Sequence, residues 1–173
     1  MQETEADTRA NRIDPVLHEA GWHMVEGSQI NRELICPGRI IGGDERANPM
    51  SADYVLSYKG RKLAVIEAKR AGLGHTDGVG QAKEYARRLK ARFAYSTNGI
   101  GWYGIDTNTG AENDFDLPFP GPQELWDRCY PQGNDWRDRF GAVPFETGGG
   151  KWQPRYYQHN AITAVLEAIA QEK

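Results

Sequence analysis

Two apolar runs joined by one tight turn fix the centre of this 173-residue chain. The first is Asp53-Tyr54-Val55-Leu56-Ser57-Tyr58. Lys59-Gly60 follows, and the second run is Arg61-Lys62-Leu63-Ala64-Val65-Ile66-Glu67-Ala68-Lys69. Residues two apart in a strand point to the same face, so Ala64, Ile66 and Ala68 line one side of the second run while Leu63 and Val65 line the other. A strand that is apolar on both faces belongs in the interior of a sheet covered on both sides. Charges at the end of such a strand are costly and need a reason.

Those charges are Asp53, which opens the first run, and Glu67 and Lys69, which close the second. Glu67 and Lys69 project together while Ala68 turns into the opposite layer. Asp53 joins them only if paired positions of the hairpin have an even sum. A three-residue loop, Tyr58-Lys59-Gly60, meets that condition, with Gly60 in the left-handed position, Ser57 against Arg61, and Asp53 against Val65 beside Glu67. A two-residue Lys59-Gly60 loop does not. Two carboxylates and an ammonium around one point make a hard-cation site beside a fixed positive charge, and Mg2+ is typically held by one or two carboxylates plus waters and phosphate oxygens. The chemistry suits phosphodiester hydrolysis. The plainer alternative is a half-buried hairpin whose acids and lysine face solvent.

The chain is long enough for one domain with a real core. Cys36 and Cys129 match no zinc spacing and read as reduced thiols. No apolar stretch is long enough to cross a bilayer, and the start, Met1-Gln2-Glu3-Thr4-Glu5, is acidic rather than a signal peptide, so the expectation is a soluble, cytoplasmic protein. The formal net charge of -3 argues against wholesale polyanion binding. Local clusters matter more, and Lys59, Arg61, Lys62, Lys69 and Arg70 are expected around the site. Lys83, Arg87, Arg88, Lys90 and Arg92 follow on the next helix, where a solvated face explains most of them.

Thr4 with Asp7 is a capping-box signal opening a helix over 5–12, and Asp14-Pro15 restarts it with Asp14 as N-cap. Val16, Leu17 and Ala20 form its apolar stripe before Gly21-Trp22. A strand is expected over 29–36, a loop or ragged extension over 37–49, a helix over 79–90, and strands over 93–97 and 101–106. Beyond Leu117 only one short helix, 122–129, precedes a terminal amphipathic helix over 157–171. This order describes an α/β fold, a mixed sheet flanked by helices, with the acids at strand ends where such sheets bind ligands.

Asp53, Glu67-Ala68-Lys69-Arg70 and Gln81-x-x-x-Tyr85 together resemble the PD-(D/E)xK nuclease domain at the N-terminus of the restriction (R) subunit of type I restriction-modification enzymes. The lead-in Glu5-Ala6-Asp7-Thr8-Arg9, with Ile13-Asp14-Pro15, Ala20-Gly21-Trp22 and Thr97-Asn98-Gly99, is similar to that family too. The residue before Asp53 is Ala52 rather than proline, a departure that leaves the chemistry intact. The resemblance implies a restriction-endonuclease-like fold, Mg2+ on Asp53 and Glu67, and Lys69 acting on the attacking water. It implies Glu5 as an additional metal-shell carboxylate, with Asp7 its rival. Gln81 and Tyr85, at i and i+4, would contact DNA or couple cleavage to a motor, alongside Arg70. A helix-to-sheet hydrogen bond and a packing tyrosine remain the alternative. The implied partners are double-stranded DNA and the modification and specificity subunits.

Arg155-Tyr156-Tyr157-Gln158-His159-Asn160-Ala161-Ile162 resembles the adenine-reading motif that opens superfamily 2 helicase motors. Gln158 would then meet an adenine edge with Arg155 nearby, and ATP would belong to the full-length motor. The expected organisation is a nuclease domain over 1–145, a linker over 146–154, and the start of a motor over 155–173. In that case Ile162, Val165, Leu166 and Ile169 lack the surface that would cover them. Gly148-Gly149-Gly150-Lys151 mimics a phosphate loop, but Trp152 stands where Ser or Thr is needed. Two other functions fit the same residues: a nuclease of another helicase-linked defence or repair system, and a catalytically silent DNA-binding scaffold.

Overall fold

The computed structural model describes residues 3–36, 40–42, 45–46, 50–141 and 156–171. The chain opens with α1 (Glu5–Thr8), a π-helical turn (Arg9–Ile13) and α2 (Asp14–Glu19). The strands β1 (Ser28–Cys36), β2 (Ile40–Gly42), β3 (Glu45–Arg46), β4 (Met50–Tyr58) and β5 (Arg61–Ala68) follow. Then come α3 (Val79–Leu89), β6 (Phe93–Thr97), β7 (Trp102–Asp106) and β8 (Glu112–Asp114). The helices α4 (Pro122–Cys129), α5 (Asp135–Gly141) and α6 (Tyr156–Gln171) complete the order. The six-stranded sheet runs β1-β4-β5-β6-β7-β8, antiparallel except for the β5/β6 pair. With helices on both faces, this is the α/β restriction-endonuclease-like fold expected from the sequence. No described helix is long and apolar enough to cross a membrane.

Alternation along the central strands sorts the core into two layers. Tyr54, Leu56, Ala64, Ile66 and Ala68 pack with Ile13, Leu17, Trp22 and Trp126 on one face. Val55, Val65 and Ala94 pack under Ala82, Tyr85, Ala86 and Leu89 of α3 on the other. β5 is therefore buried on both faces, as its composition requires. Glu67 shares the parity of Val65, which places it on the α3 side, where Gly78 approaches its Cγ; along β4, Tyr54 and Ala52 lie in opposite layers, so alternation resets at Asp53.

The hairpin reaches its even-sum register by a different route from the expected three-residue loop. Tyr58 pairs with Arg61 across a two-residue loop, and Lys59 and Gly60 both have positive φ, +47° and +72°. Positive φ at both central residues is the turn whose twist suits a hairpin. A β-bulge then inserts Leu63 between the pairs Ser57 to Lys62 and Leu56 to Ala64, restoring the even sum. As a result Leu63 joins the same core layer as Ala64 instead of the opposite one. The register then continues through Tyr54 to Ile66, so Asp53 meets Glu67 rather than Val65.

Other expectations shift for physical reasons. Asp14 is the first residue of α2, not its N-cap: its carboxylate instead accepts from the Tyr54 hydroxyl at 2.9 Å and the Arg32 guanidinium at 2.6 Å. Lys59, Arg61 and Lys62 do not surround the acids, because they lie at the far end of β5, about 20 Å away at the rise of a strand. There Arg61, 4% exposed, donates to the Thr163 carbonyl at 2.8 Å and pairs with Glu167, which also binds Arg137. Lys62 donates to Asn160 and to His159, whose imidazole is held down to about 4, mainly by burial and then by the Lys62 charge. Thus α6 docks by its polar face while Ile162, Val165 and Ile169 face solvent. The 146–154 linker, the 148–151 glycine run and Arg155 lie outside the described residues.

Candidate active site

Two neighbouring strands and the helix that follows them deliver the site. Asp53 ends its approach on β4 with Oδ2 accepting from the Ala68 amide at 2.8 Å, which ties the carboxylate to the end of β5. Glu67, 5% exposed, lies one strand over and pairs through Oε1 with Lys69 Nζ at 2.8 Å. Lys69 also donates to Gln81 Oε1 at 2.7 Å, so the first turn of α3 fixes the ammonium from above. Among the described side chains, Glu67 Oε2 is a buried oxygen with no hydrogen-bond partner. An unfilled buried acceptor is uncommon enough to require an explanation.

The surrounding backbone holds this arrangement tightly. Thr97 accepts from the Lys69 amide at 2.8 Å, and Thr8 Oγ1 accepts from the Ala71 amide at 3.1 Å, so the segment after β5 is stitched to both β6 and α1. Asn98 donates to the Leu73 carbonyl and accepts from the Ile100 and Gly101 amides, closing the floor of the loop. Gly78 caps α3 directly over Glu67. A Cβ there would fall 2.7 Å from Glu67 Cγ and 2.8 Å from Ser96 Oγ, so only glycine allows this approach.

Burial raises both carboxyls. Burial lifts the Glu67 carboxyl to about 7, with the Asp53 and Glu5 charges adding and the Lys69 bond opposing. Asp53 is raised as well, by burial first and by Glu5, against the Ala68 amide, Arg9 and Lys69. Glu5 therefore lies close enough to act on both acids. Asp7 does not compete: it is exposed and completes the capping box with Thr4 at 2.6 Å, which holds its carboxyl low. No three His, Cys, Asp or Glu side chains among the described residues converge to cage a metal alone. Two adjacent carboxylates with a buried orphan oxygen nonetheless fit a hard divalent ion that takes its remaining ligands from water and phosphate.

Tyr85 is 4% exposed and packs in the α3 layer, whereas Gln81 reaches the site through Lys69. Arg70 is half-exposed just beyond it, and Gln158 is exposed on α6, remote in sequence and element. Two residues escape a sequence reading. Arg9 lies 3.3 Å from Asp53 Oδ1 and 3.4 Å from Glu33. Its spacing of four from Glu5 is the one signal that could have found it. Glu33 sits on β1 between the pairs Arg32 to Tyr54 and Leu34 to Ala52, hence across from Asp53, and nothing in the local sequence marks it.

Comparison with known proteins finds relatives of one kind. No protein-family profile matches the chain. The endonuclease subunit of the type I restriction enzyme EcoAI from Escherichia coli is 35% identical over 181 residues, spanning 96% of this chain. A solved fragment described as an HsdR subunit of a type I restriction enzyme from Vibrio vulnificus YJ016 superposes with a TM-score of 0.82 at 34% identity, covering 99% of this chain. This chain is homologous to part of the type I restriction endonuclease subunit. It spans only 22% of the length of the first relative and 33% of the second.

Proposed function

We propose that this chain is the metal-dependent endonuclease domain of a type I restriction enzyme R subunit, hydrolysing phosphodiester bonds of double-stranded DNA. The observation that carries the proposal is the convergence of Asp53 and Glu67 around an unpartnered, buried carboxylate oxygen, with Lys69 alongside. Asp53 and Glu67 would hold Mg2+, and Glu5 would act from the surrounding shell. The metal, when bound, would supply Lewis-acid polarisation of the scissile phosphate and a more acidic water. Lys69 uses two of its three N–H groups on Glu67 and Gln81, leaving the third to orient the attacking water and to meet the charge that develops on phosphorus oxygens. Gln81 keeps that ammonium aimed. Tyr85 supports the same helix from the core, and Arg70 contributes a cation at the mouth for the DNA backbone.

In the whole subunit, cleavage would follow ATP-driven translocation, with target choice made by the specificity subunit and the modification subunit completing the complex. The sequence pattern Arg155 to Ile162 supports the start of a motor, in which Arg155 and Gln158 would serve adenine recognition. Plasmid cleavage and ATP hydrolysis, measured side by side on the full-length subunit assembled with its partners, test the proposal. Asp53→Ala should remove cleavage and leave ATP hydrolysis in place. Cleavage retained in that variant would contradict it.

A further inference from the structure

Arg9 is not accounted for by the catalytic scheme, yet it touches a proposed metal ligand. It lies on the π-helical turn, with its carbonyl accepting the Asp14 amide, and its side chain is only 23% exposed. A single nitrogen, Nη1, is shared between Asp53 Oδ1 at 3.3 Å and Glu33 Oε1 at 3.4 Å. Charge-assisted bonds usually close to about 2.7–2.9 Å. The guanidinium is thus poised between two carboxylates without settling on either, and a small rotation delivers it to one. Their environments differ: the Asp53 side chain is 15% exposed and the Glu33 side chain 69%.

Glu33 is placed for this by an unusual backbone. Its φ is +51°, a left-handed conformation uncommon for a residue with a side chain, in the middle of an otherwise continuous β1/β4 ladder. It stands between the pairs Arg32 to Tyr54 and Leu34 to Ala52, across from Asp53, and Asp53 is itself one step beyond the last β4/β5 pair, Tyr54 to Ile66.

Resting on the proposed metal site, we infer that Arg9 is a positioning residue that is shared between Asp53 and Glu33 here and is handed over wholly to Glu33 when a divalent cation takes the Asp53 carboxylate. The physical reason is simple repulsion: a guanidinium and a divalent ion cannot share Oδ1 at contact distance without strong like-charge repulsion in a partly buried setting. Arg9 must leave, and Glu33 is the acceptor already within reach. Glu33 therefore governs metal affinity without being a ligand.

Calorimetric Mn2+ titration of the full chain tests this, with thermal melting of each variant as a check on folding. Glu33→Gln should weaken Mn2+ binding roughly tenfold, in the range seen for outer-shell partners of metal ligands. Arg9→Gln should tighten it severalfold, and the double variant should match Arg9→Gln alone, because Glu33 has no role once the guanidinium is gone. If Glu33→Gln weakens binding equally in both backgrounds, Glu33 is a ligand or a distant field and the handover is wrong. Unchanged affinity with a lowered melting temperature would likewise overturn it, making Arg9 a clamp between helix and sheet. A wild-type chain that binds no Mn2+, or binding that survives Asp53→Ala, instead removes the metal site itself and the inference with it.

Discussion

The two ends of β5 carry the same kinds of residue and do opposite things. At its start, Arg61 and Lys62 find acceptors on α6: the Thr163 carbonyl, Glu167, Asn160 and His159. At its end, Glu67 is as buried as Arg61 but keeps one oxygen unpartnered, and its carboxyl is pushed up to about 7. A satisfied buried charge fixes structure. An unsatisfied one stores a preference for a ligand, and that separates the candidate catalytic end from the docking end more sharply than charge content does.

The largest expected contrast is in catalysis. Lys69→Ala should lower cleavage by the full-length assembly on the order of 10²- to 10³-fold while leaving metal binding intact, as expected for loss of a group that meets developing charge. Arg61→Ala should leave any metal titration unchanged yet cost roughly 3 kcal/mol of stability in urea unfolding, since it removes a buried guanidinium and leaves the Thr163 carbonyl and the Glu167 carboxylate each without that donor. If Arg61→Ala changes metal affinity, the two ends are coupled and the contrast fails.

Gly78→Ala should fall between these behaviours. Its methyl group would press on Glu67 and Ser96, costing about 1–3 kcal/mol and displacing the acid. Unaltered thermal stability with wild-type cleavage would show that α3 yields easily there.

The smallest effect is on pH dependence. The Glu67 value is raised in the folded chain, so its stabilising contribution is complete below about 4.5 and is lost as pH rises through about 7. His159 slopes the other way, gaining stability as pH rises from about 4 to 6.5. The difference between wild type and Glu67→Gln isolates the acid: without metal, the variant should gain on wild type by on the order of 1–3 kcal/mol between pH 5 and pH 8. A constant difference across that range would mean that Glu67 is not held protonated by its surroundings.

Much of this site was legible in the sequence because strand alternation is a strong local rule. Glu67 and Lys69 follow from it, and the approach of Gln81 follows from its helix. The loop is not legible because parity has two physical solutions, an odd loop or an even loop with a bulge, and the extra Leu63 leaves no mark on composition. Arg61 and Lys62 were misplaced because closeness in sequence is separation along an extended strand. Arg9 and Glu33 come together only through the packing of a helix on an edge strand and a left-handed residue within it. The docking of α6 was hidden for a related reason. The sequence marks its apolar stripe as uncovered, and Val165 is 60% exposed, but nothing in it marks Asn160 and Glu167 as the residues that find partners on the core.

The central claim is that the unpartnered oxygen of Glu67 and the neighbouring Asp53 share one divalent cation. Calorimetric Mg2+ and Mn2+ titration of wild type, Asp53→Ala, Glu67→Ala and the remote control Arg61→Ala tests it most directly. One site is expected in wild type and in the Arg61 variant, with affinity rising as pH increases toward about 7, and no binding in either acid variant. Binding that persists without Asp53 and Glu67, or that is absent from wild type, would contradict it.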